Sequence, residues 1–397
     1  MRKKNIFFAI DSLGCGGAEK SLVTLLSLLD YSKYDVDVQL FRYGGEFEYF
    51  LPKEVNLLPP LEYTNFLNLS IIKQLLTFDI KKIISRWSYS LLIRRKNLTH
   101  ADKARFYWKC ASKCIPFCDK QYDVAIGYAH GIPTFYVVDK IKAKRKIAWV
   151  NAIYNLRGKN RDFQRTFYSV LDAIVLVSSS ALELFSQVYA DYKSKMCIIM
   201  DIIDVDFIKK MSNFPMDYPM KNDVPLLLTV ARLDNGHKGY DIALEAAKIL
   251  HERGVNFRWY VIGEGEFRNE MECFIIKNGL QDIFILLGAI PNPYPYIKEC
   301  TMYVQTSRHE GFGLSIAEAR ILNRPVITTE FDAVYNQMIQ GKNGIVVKVS
   351  PAEVANAVEY MLNNKKLKES IIAFQKQEKK GNKEELNKFY NLINVNG

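Results

Sequence analysis

Four stretches of this 397-residue chain combine residue types that can hold and stabilise an anion. The most informative is SRHEGFGLSIAEA, residues 307–319, where Gly311 and Gly313 stand just ahead of a helical run. Glycines before a helix let backbone N–H groups approach an anion, and the positive end of the helix dipole favours it there. Glu310 precedes the turn and Glu318 lies eight residues later, in the expected first turn of the helix. One carboxylate can reach forward to a sugar hydroxyl while the other lies beneath the turn, placed for a ribose. Each also has a plainer reading: Ser315-x-x-Glu318 fits a capping box, and Glu310 fits a solvated loop carboxylate.

The second stretch is ARLDNGHKGYDIALEA, residues 231–246. Arg232 and Lys238 leave the carboxyl end of a strand and precede a helix, where open α/β sheets bind ligands. A departing diphosphate gains charge in the transition state, and a forked guanidinium with a point-charge ammonium suits it. Taken singly, either cation would read as a surface charge, and His237 reads as a solvent-facing neighbour. The third stretch, VIGEG at 261–265, ends a strand with Gly263 and Gly265, but Arg268 stands where a GxGxxG would need its last glycine. The fourth, LGCGGAEK at 13–20, follows the first strand. Its Gly14, Gly16 and Gly17 form a loop able to approach a phosphate or sugar, and the absence of a GKS/T argues against ATP hydrolysis.

Two DxD triplets, Asp35-Val-Asp37 and Asp204-Val-Asp206, match the pattern by which many sugar-nucleotide enzymes hold a divalent ion. Neither has companion ligands nearby, Asp204 is placed to cap a helix, and Arg232 with Lys238 can offset the diphosphate charge. No metal is expected. Cys110, Cys114 and Cys118 are spaced to line one helix face and read as small core residues. The seven cysteines are an odd set in a chain with no export signal, as expected for reduced thiols in the cytosol.

The elements that must position these residues are strands alternating with helices, the signature of parallel sheets covered on both faces. Strands are expected at 5–10, 36–41, 123–127, 146–150 and 173–177, with a first helix buried through Leu22, Leu25, Leu26 and Leu29. A second series follows at 226–230, 257–262, 283–287, 302–305, 326–328 and 345–347. This predicts an N-terminal Rossmann-like domain over 1–200 with a basic helical insertion at about 60–120. An irregular linker is expected at 201–222, a C-terminal domain at 223–375, and a helix at 376–397 that crosses back to the first domain. The length favours two domains, and no apolar run is long enough to span a membrane. The apolar stretch after MRKKN is too short for a secretory signal.

The net charge of +11 is unevenly placed: residues 81–120 hold eleven Lys/Arg against Asp102 and Asp119, with Trp87, Tyr89, Phe106, Tyr107, Trp108 and Phe117 interleaved. A further run, KIKAKRK, spans 140–146. Basic residues with aromatic anchors describe a segment lying on an anionic membrane; a solvated basic face and nucleic-acid contact are the other readings, and nucleic acid is not expected.

Together these motifs resemble glycosyltransferase family 4, whose members have the GT-B fold of two facing Rossmann-like domains with a cleft between them. Glu310 and Glu318 match the E-x7-E signature with Gly311-Phe312-Gly313-Leu314 between them, Arg232 and Lys238 match the diphosphate pair, residues 16–20 match the GGAEK element, and Val261–Gly265 match the VGxG strand end whose Gly263 and Gly265 face the donor. The resemblance implies a retaining, metal-independent and cofactor-free transfer from a nucleoside diphosphate sugar, a UDP-sugar, to a lipid-linked glycan in bacterial surface polysaccharide synthesis. It implies a cytoplasmic protein peripheral to the inner face of the cell membrane. It also implies Glu318 on the ribose, Glu310 near the donor sugar and the 311–314 amides on phosphate. Members commonly place a histidine after the strand KIAWV; here Asn151 stands there, and either Asn151 or His130 takes that role. A sugar-nucleotide epimerase of the same plan, a pyridoxal-phosphate-dependent glycan phosphorylase and a non-catalytic polyanion-binding protein are the rival readings.

Overall fold

The computed structural model describes residues 2–151 and 156–395. Met1, at the start of the expected first domain, residues 152–155 within it, and the last two residues of the expected C-terminal helix lie outside the described residues. The chain divides into two compact units, one of residues 1–200 with 384–397 and one of residues 201–383.

The first unit holds a seven-stranded sheet of β1 (Lys4–Ile10), β2 (Tyr34–Leu40), β3 (Val55–Leu57), β4 (Gln121–Gly127), β5 (Lys142–Val150), β6 (Ala173–Leu176) and β7 (Met196–Ile198). Their order is β3-β2-β1-β4-β5-β6-β7, every pair parallel. The second holds β8 (Leu226–Val230), β9 (Arg258–Ile262), β10 (Phe284–Gly288), β11 (Met302–Gln305), β12 (Val326–Thr329) and β13 (Gly344–Val347), in the order β10-β9-β8-β11-β12-β13, also parallel. In both sheets the order reverses beside the first strand, between β1 and β4 and between β8 and β11. Crossover connections leave a crevice at that point, outside the strands' carboxyl ends.

The strands read as apolar runs because helices cover both faces. Ile6 to Ile10 of β1 are all buried, as are Leu226, Leu227 and Leu228 of β8. The helix Gly17–Ser27 buries Leu22, Leu25 and Leu26, and the helix Tyr240–Glu252 buries Tyr240, Ile242, Leu244, Ala246 and Leu250. The last helix, Glu385–Asn394, packs into the first unit: Phe389 is stacked near Phe8, Tyr390 lies on Tyr34, and Arg145 donates to the Leu392 carbonyl.

Several expectations need correction. The expected strands omit β3, whose three residues are too few to show alternation. Residues 201–222 are not an irregular linker, because the helix Val205–Met211 forms there, capped by Asp204, with Ile203 and Ile208 buried in the second unit's core. The cysteine triplet does not share a helix face. Only Cys110 lies in the helix His100–Ala111, while Cys114 and Cys118 follow it and pack at the edge of the first core. The basic run 140–146 enters β5, where Lys144 pairs with Asp123, Arg145 meets Leu392 and Lys146 donates to the Val138 carbonyl.

Candidate active site

In the second unit the two halves of the crevice are the segment after β8 and the segment after β11. After β8, Leu233 N–H donates to Glu264 O at 3.0 Å and Ala231 N–H to Ile262 O at 3.0 Å, so the end of β9 braces the turn that carries Arg232. Asp234 then caps the short helix Asn235–Lys238 by accepting from His237 N. The same carboxylate receives Arg232 Nη2 at 3.1 Å and faces His237 Nδ1 at 3.0 Å. Burial alone raises its pKa, but the His237 hydrogen bonds and the Arg232 charge together hold it below the usual carboxylate value. Arg232 is largely exposed and oriented by Asp234.

Gly239 links that helix to Tyr240–Glu252 in the left-handed conformation, φ 63°, and a Cβ there would sit 2.2 Å from Thr306 O. This close approach joins the two halves: Thr306 Oγ1 donates to Lys238 O at 3.1 Å and Arg308 N–H to His237 O at 2.7 Å. Arg308 also grips both oxygens of Asp241, at 2.8 and 2.6 Å. Across the junction Lys238 Nζ lies 2.7 Å from Glu310 Oε1. That oxygen accepts two further hydrogen bonds, from Ser307 Oγ at 2.7 Å and Gln305 Nε2 at 3.1 Å. Three donors on one oxygen fix the carboxylate's orientation, so Glu310 is held rather than freely solvated.

The turn 311–313 feeds the helix Leu314–Ile321, whose N-cap is Gly313 at φ 84°. Gln337 Nε2 clamps the turn by donating to Phe312 O and Gly313 O. Here the capping-box reading fails. Ser315 lies inside the helix and its hydroxyl donates to Val230 O at 2.9 Å, tying the helix to β8. Glu318 falls beyond the first turn, buried, with Tyr294 OH donating to its Oε1 at 3.3 Å. Burial, then the charge of Glu318, drive the Tyr294 phenol well above its ordinary pKa. A buried carboxylate beneath a glycine turn is a costly choice for structure alone.

Gly263 and Gly265 turn out to be close-approach positions. A Cβ would sit 2.0 Å from Ala231 O at the first and 2.3 Å from Leu233 O at the second. They admit the backbone of the Arg232 turn. The DxD carboxylates are engaged within the protein: Asp37 is buried and accepts from Asn56, Lys120 and Tyr122, Asp35 pairs with Lys3, and Asp206 pairs with Lys383.

In the first unit the residues singled out also flank the reversal point. Gly16 and Gly17 open the helix after β1, Ser21 of that helix is 2.8 Å from Tyr128 OH, and Tyr128 stacks on Trp149. Asn151, just past β5, donates Nδ2 to Tyr128 O at 2.8 Å, which turns its Oδ1 the other way; that oxygen is buried with no hydrogen-bond partner among the described residues. His130 follows β4. Burial presses its imidazole down to about 4, while Asp11 at the end of β1 is pushed up to about 7 by burial and then by Glu19, against Arg42.

These two shifts predict opposing pH effects. Neutral His130 contributes stability that is present above its unfolded value of 6.5 and lost as pH falls towards 4. Protonated Asp11 contributes stability that is present below 3.8 and lost as pH rises towards 7. Between about 4 and 6.5 the slopes oppose one another. His130→Gln should therefore lose stability as pH rises through that window, by up to about 1.4 kcal/mol per unit relative to the parent. Urea melts at several pH values check this, and parallel pH dependences in the two proteins would contradict it.

Asp234, Gln305, Ser307, Arg308, Tyr294 and Gln337 do not stand out in the sequence. For Gln305 and Ser307 a signal exists: alternate residues at a strand end project to one side, and Glu310 follows three residues on.

Two Rossmann-like units of parallel strands, with glycine turns at the carboxyl ends, define the GT-B class. Solved structures of that class share the fold. The chain aligns with Staphylococcus aureus TarM in complex with fondaparinux, alpha-GlcNAc-glycerol and UDP at a TM-score of 0.68 and 13% identity, covering 99% of this chain and 100% of that one. It aligns with Anabaena HepE in complex with UDP and glucose at 0.67 and 15% identity, with the same coverage. Residues 212–378, within the second unit, match the family described as Glycosyl transferases group 1. Over 167 residues the chain is 28% identical to an uncharacterized glycosyltransferase of Methanocaldococcus jannaschii, and the match spans only 41% of either chain. Over 373 residues, 93% of each chain, it is 23% identical to the Campylobacter jejuni N-acetylgalactosamine-N,N'-diacetylbacillosaminyl-diphospho-undecaprenol 4-alpha-N-acetylgalactosaminyltransferase.

Proposed function

We propose that this protein is a glycosyltransferase that moves a hexose or N-acetylhexosamine from a UDP-sugar to a hydroxyl of a lipid-linked glycan, with retention and without a metal. The observation that carries the reading is the Lys238–Glu310 pair beside the clamped glycine turn. It sets a cation and the start of a helix at one crevice, where a diphosphate's growing charge needs both. Arg232 on Asp234 supplies the second cation, and Glu318 beneath the turn takes the ribose hydroxyls. In this scheme the departing UDP oxygen accepts the acceptor's proton as the new bond forms on the face it leaves. Within the first unit, Asn151 Oδ1 offers a buried hydrogen-bond acceptor beside the sheet reversal. Neutral His130, two residues beyond the Tyr128 carbonyl that Asn151 holds, supports the same segment. The near full-length similarity to a transferase acting on a diphospho-undecaprenol-linked substrate supports a lipid-linked acceptor.

UDP at a hundredfold excess over its dissociation constant should stabilise the protein by about 2.7 kcal/mol, seen as a rise in Tm. With an acceptor present, UDP release should continue undiminished after chelation by EDTA, and NMR of the product should show the donor's anomeric configuration. Loss of turnover on chelation, or an inverted product, would overturn the metal-independent or the retaining half of the scheme respectively. Conversion of the UDP-sugar without any acceptor would mark an epimerase instead.

A further inference from the structure

The first unit carries an apolar surface turned outward. In the helix Ile80–Leu92, Ile80, Ile84, Trp87 and Leu91 recur at intervals of four, three and four, which places them within about 60° of one another around the axis. This stripe is exposed, Ile80 by 68% and Trp87 by 59%, whereas the opposite side presents Ser85 to Tyr63 and Tyr89 to Tyr107. The preceding helix Ile71–Leu76 is inverted in the same way. Its Gln74 is buried, donating to Leu69 O, while Ile71, Ile72, Leu75 and Leu76 face solvent. Between the two helices Phe78 is 81% exposed and held at φ 53°, a left-handed conformation unfavourable for a bulky residue, and it gains no packing in return. Soluble monomers rarely show so many contiguous exposed apolar side chains without a partner for them.

Charge identifies the partner. Residues 69–98 contain Lys73, Lys81, Lys82, Arg86, Arg94, Arg95 and Lys96 against one acid, Asp79, which is occupied as an N-cap and ion-paired to Lys82. A second copy docking on this face would bring the same positive charge against itself, whereas a bilayer of anionic lipid accepts both the cations and the apolar stripe. Among the described residues no helix is long and apolar enough to cross a membrane, so the segment lies on the surface. We propose that the helices Ile71–Leu76 and Ile80–Leu92, with Phe78 between them, insert their apolar stripe into an anionic lipid surface. This deepens the proposed use of a lipid-linked acceptor and moves the contact away from the run 140–146, whose central cations are engaged within the fold.

Trp87 makes the test internal. Of the chain's four tryptophans, Trp108, Trp149 and Trp259 are buried, so a lipid-induced change in emission reports Trp87. Vesicles of phosphatidylglycerol and phosphatidylethanolamine with acyl-chain-brominated lipid should shift the full chain's emission to shorter wavelength and quench it, and Trp87→Phe should abolish both effects. The triple variant Ile72→Glu, Phe78→Glu, Ile84→Glu changes only exposed side chains and should keep its Tm while binding these vesicles about tenfold more weakly or worse. Salt-sensitive binding without quenching would overturn insertion in favour of mere adsorption, and absence of vesicle binding would overturn the surface altogether. A concentration-dependent dimer that Ile84→Glu dissolves would assign the stripe to a second copy. The UDP-induced rise in Tm, measured in the same samples, separates the two readings: its absence would reject the donor site whatever the vesicles show.

Discussion

Lys238→Ala should lower kcat by about 10²–10³-fold, the usual cost of removing one electrostatic donor from a charge that develops during reaction, and should leave the fold unchanged. The lysine is placed by two local devices: the Asn235–Lys238 helix capped by Asp234, and the Gly239 turn packed on Thr306. Neither needs the side chain. Its ion-pair partner, Glu310, keeps Ser307 and Gln305 as donors when the ammonium is gone, so the carboxylate stays where it is. What the variant loses is a cation beside the glycine turn. If the diphosphate binds there, its charge is greatest at the transition state, so kcat should fall more than UDP-sugar affinity does. Lys238→Arg should recover only part of the loss, because a planar fork does not reproduce a compact ammonium. Steady-state kinetics with near-normal kcat for Lys238→Ala would remove the residue from the mechanism.

Much of this site is legible in the amino-acid sequence, because its chemistry is concentrated in short motifs at strand ends. The alternation of apolar runs with helical periodicity exposes both sheets, and the two glycines before a helix mark the turn at 311–313. Other features are hidden for physical reasons. β3 and β7 have three residues each, too few to show a period. The capping-box pattern at Ser315 misleads because left-handed Gly313 starts the helix two residues earlier, and the serine hydroxyl is satisfied by β8 instead. The burial of Glu318 under Tyr294 depends on a helix at Tyr294–Glu299, more than fifteen residues away, which no local pattern announces. The inward-facing polar and outward-facing apolar residues of 71–91 are legible as an amphipathic run. Which side meets solvent is not, since periodicity gives a stripe but not its direction.

Gly263→Ala tests whether the end of β9 is a ligand loop or a brace. Gly263 has φ 151°, and an added Cβ would lie 2.0 Å from the carbonyl oxygen of Ala231, a backbone atom that also accepts from Tyr240 OH. No side-chain rotation can relieve that overlap, so the 231–233 segment must move. Strain in the backbone and the clash together should cost about 3 kcal/mol or more. For a unit of this size that lowers Tm by about 6–12 °C. Gly254→Ala is the control: its φ is also positive, 72°, but a Cβ there meets nothing within 4 Å. It should show the conformational penalty alone, about 1 kcal/mol. The displacement in Gly263→Ala is transmitted to Arg232, one residue from the clash, so the surviving folded protein should bind UDP more weakly, whereas Gly254→Ala should bind it normally. Equal melting temperatures for the two variants would show that the strand end tolerates a side chain. The brace would then have to be abandoned, and with it the account of how Arg232 is held at the crevice.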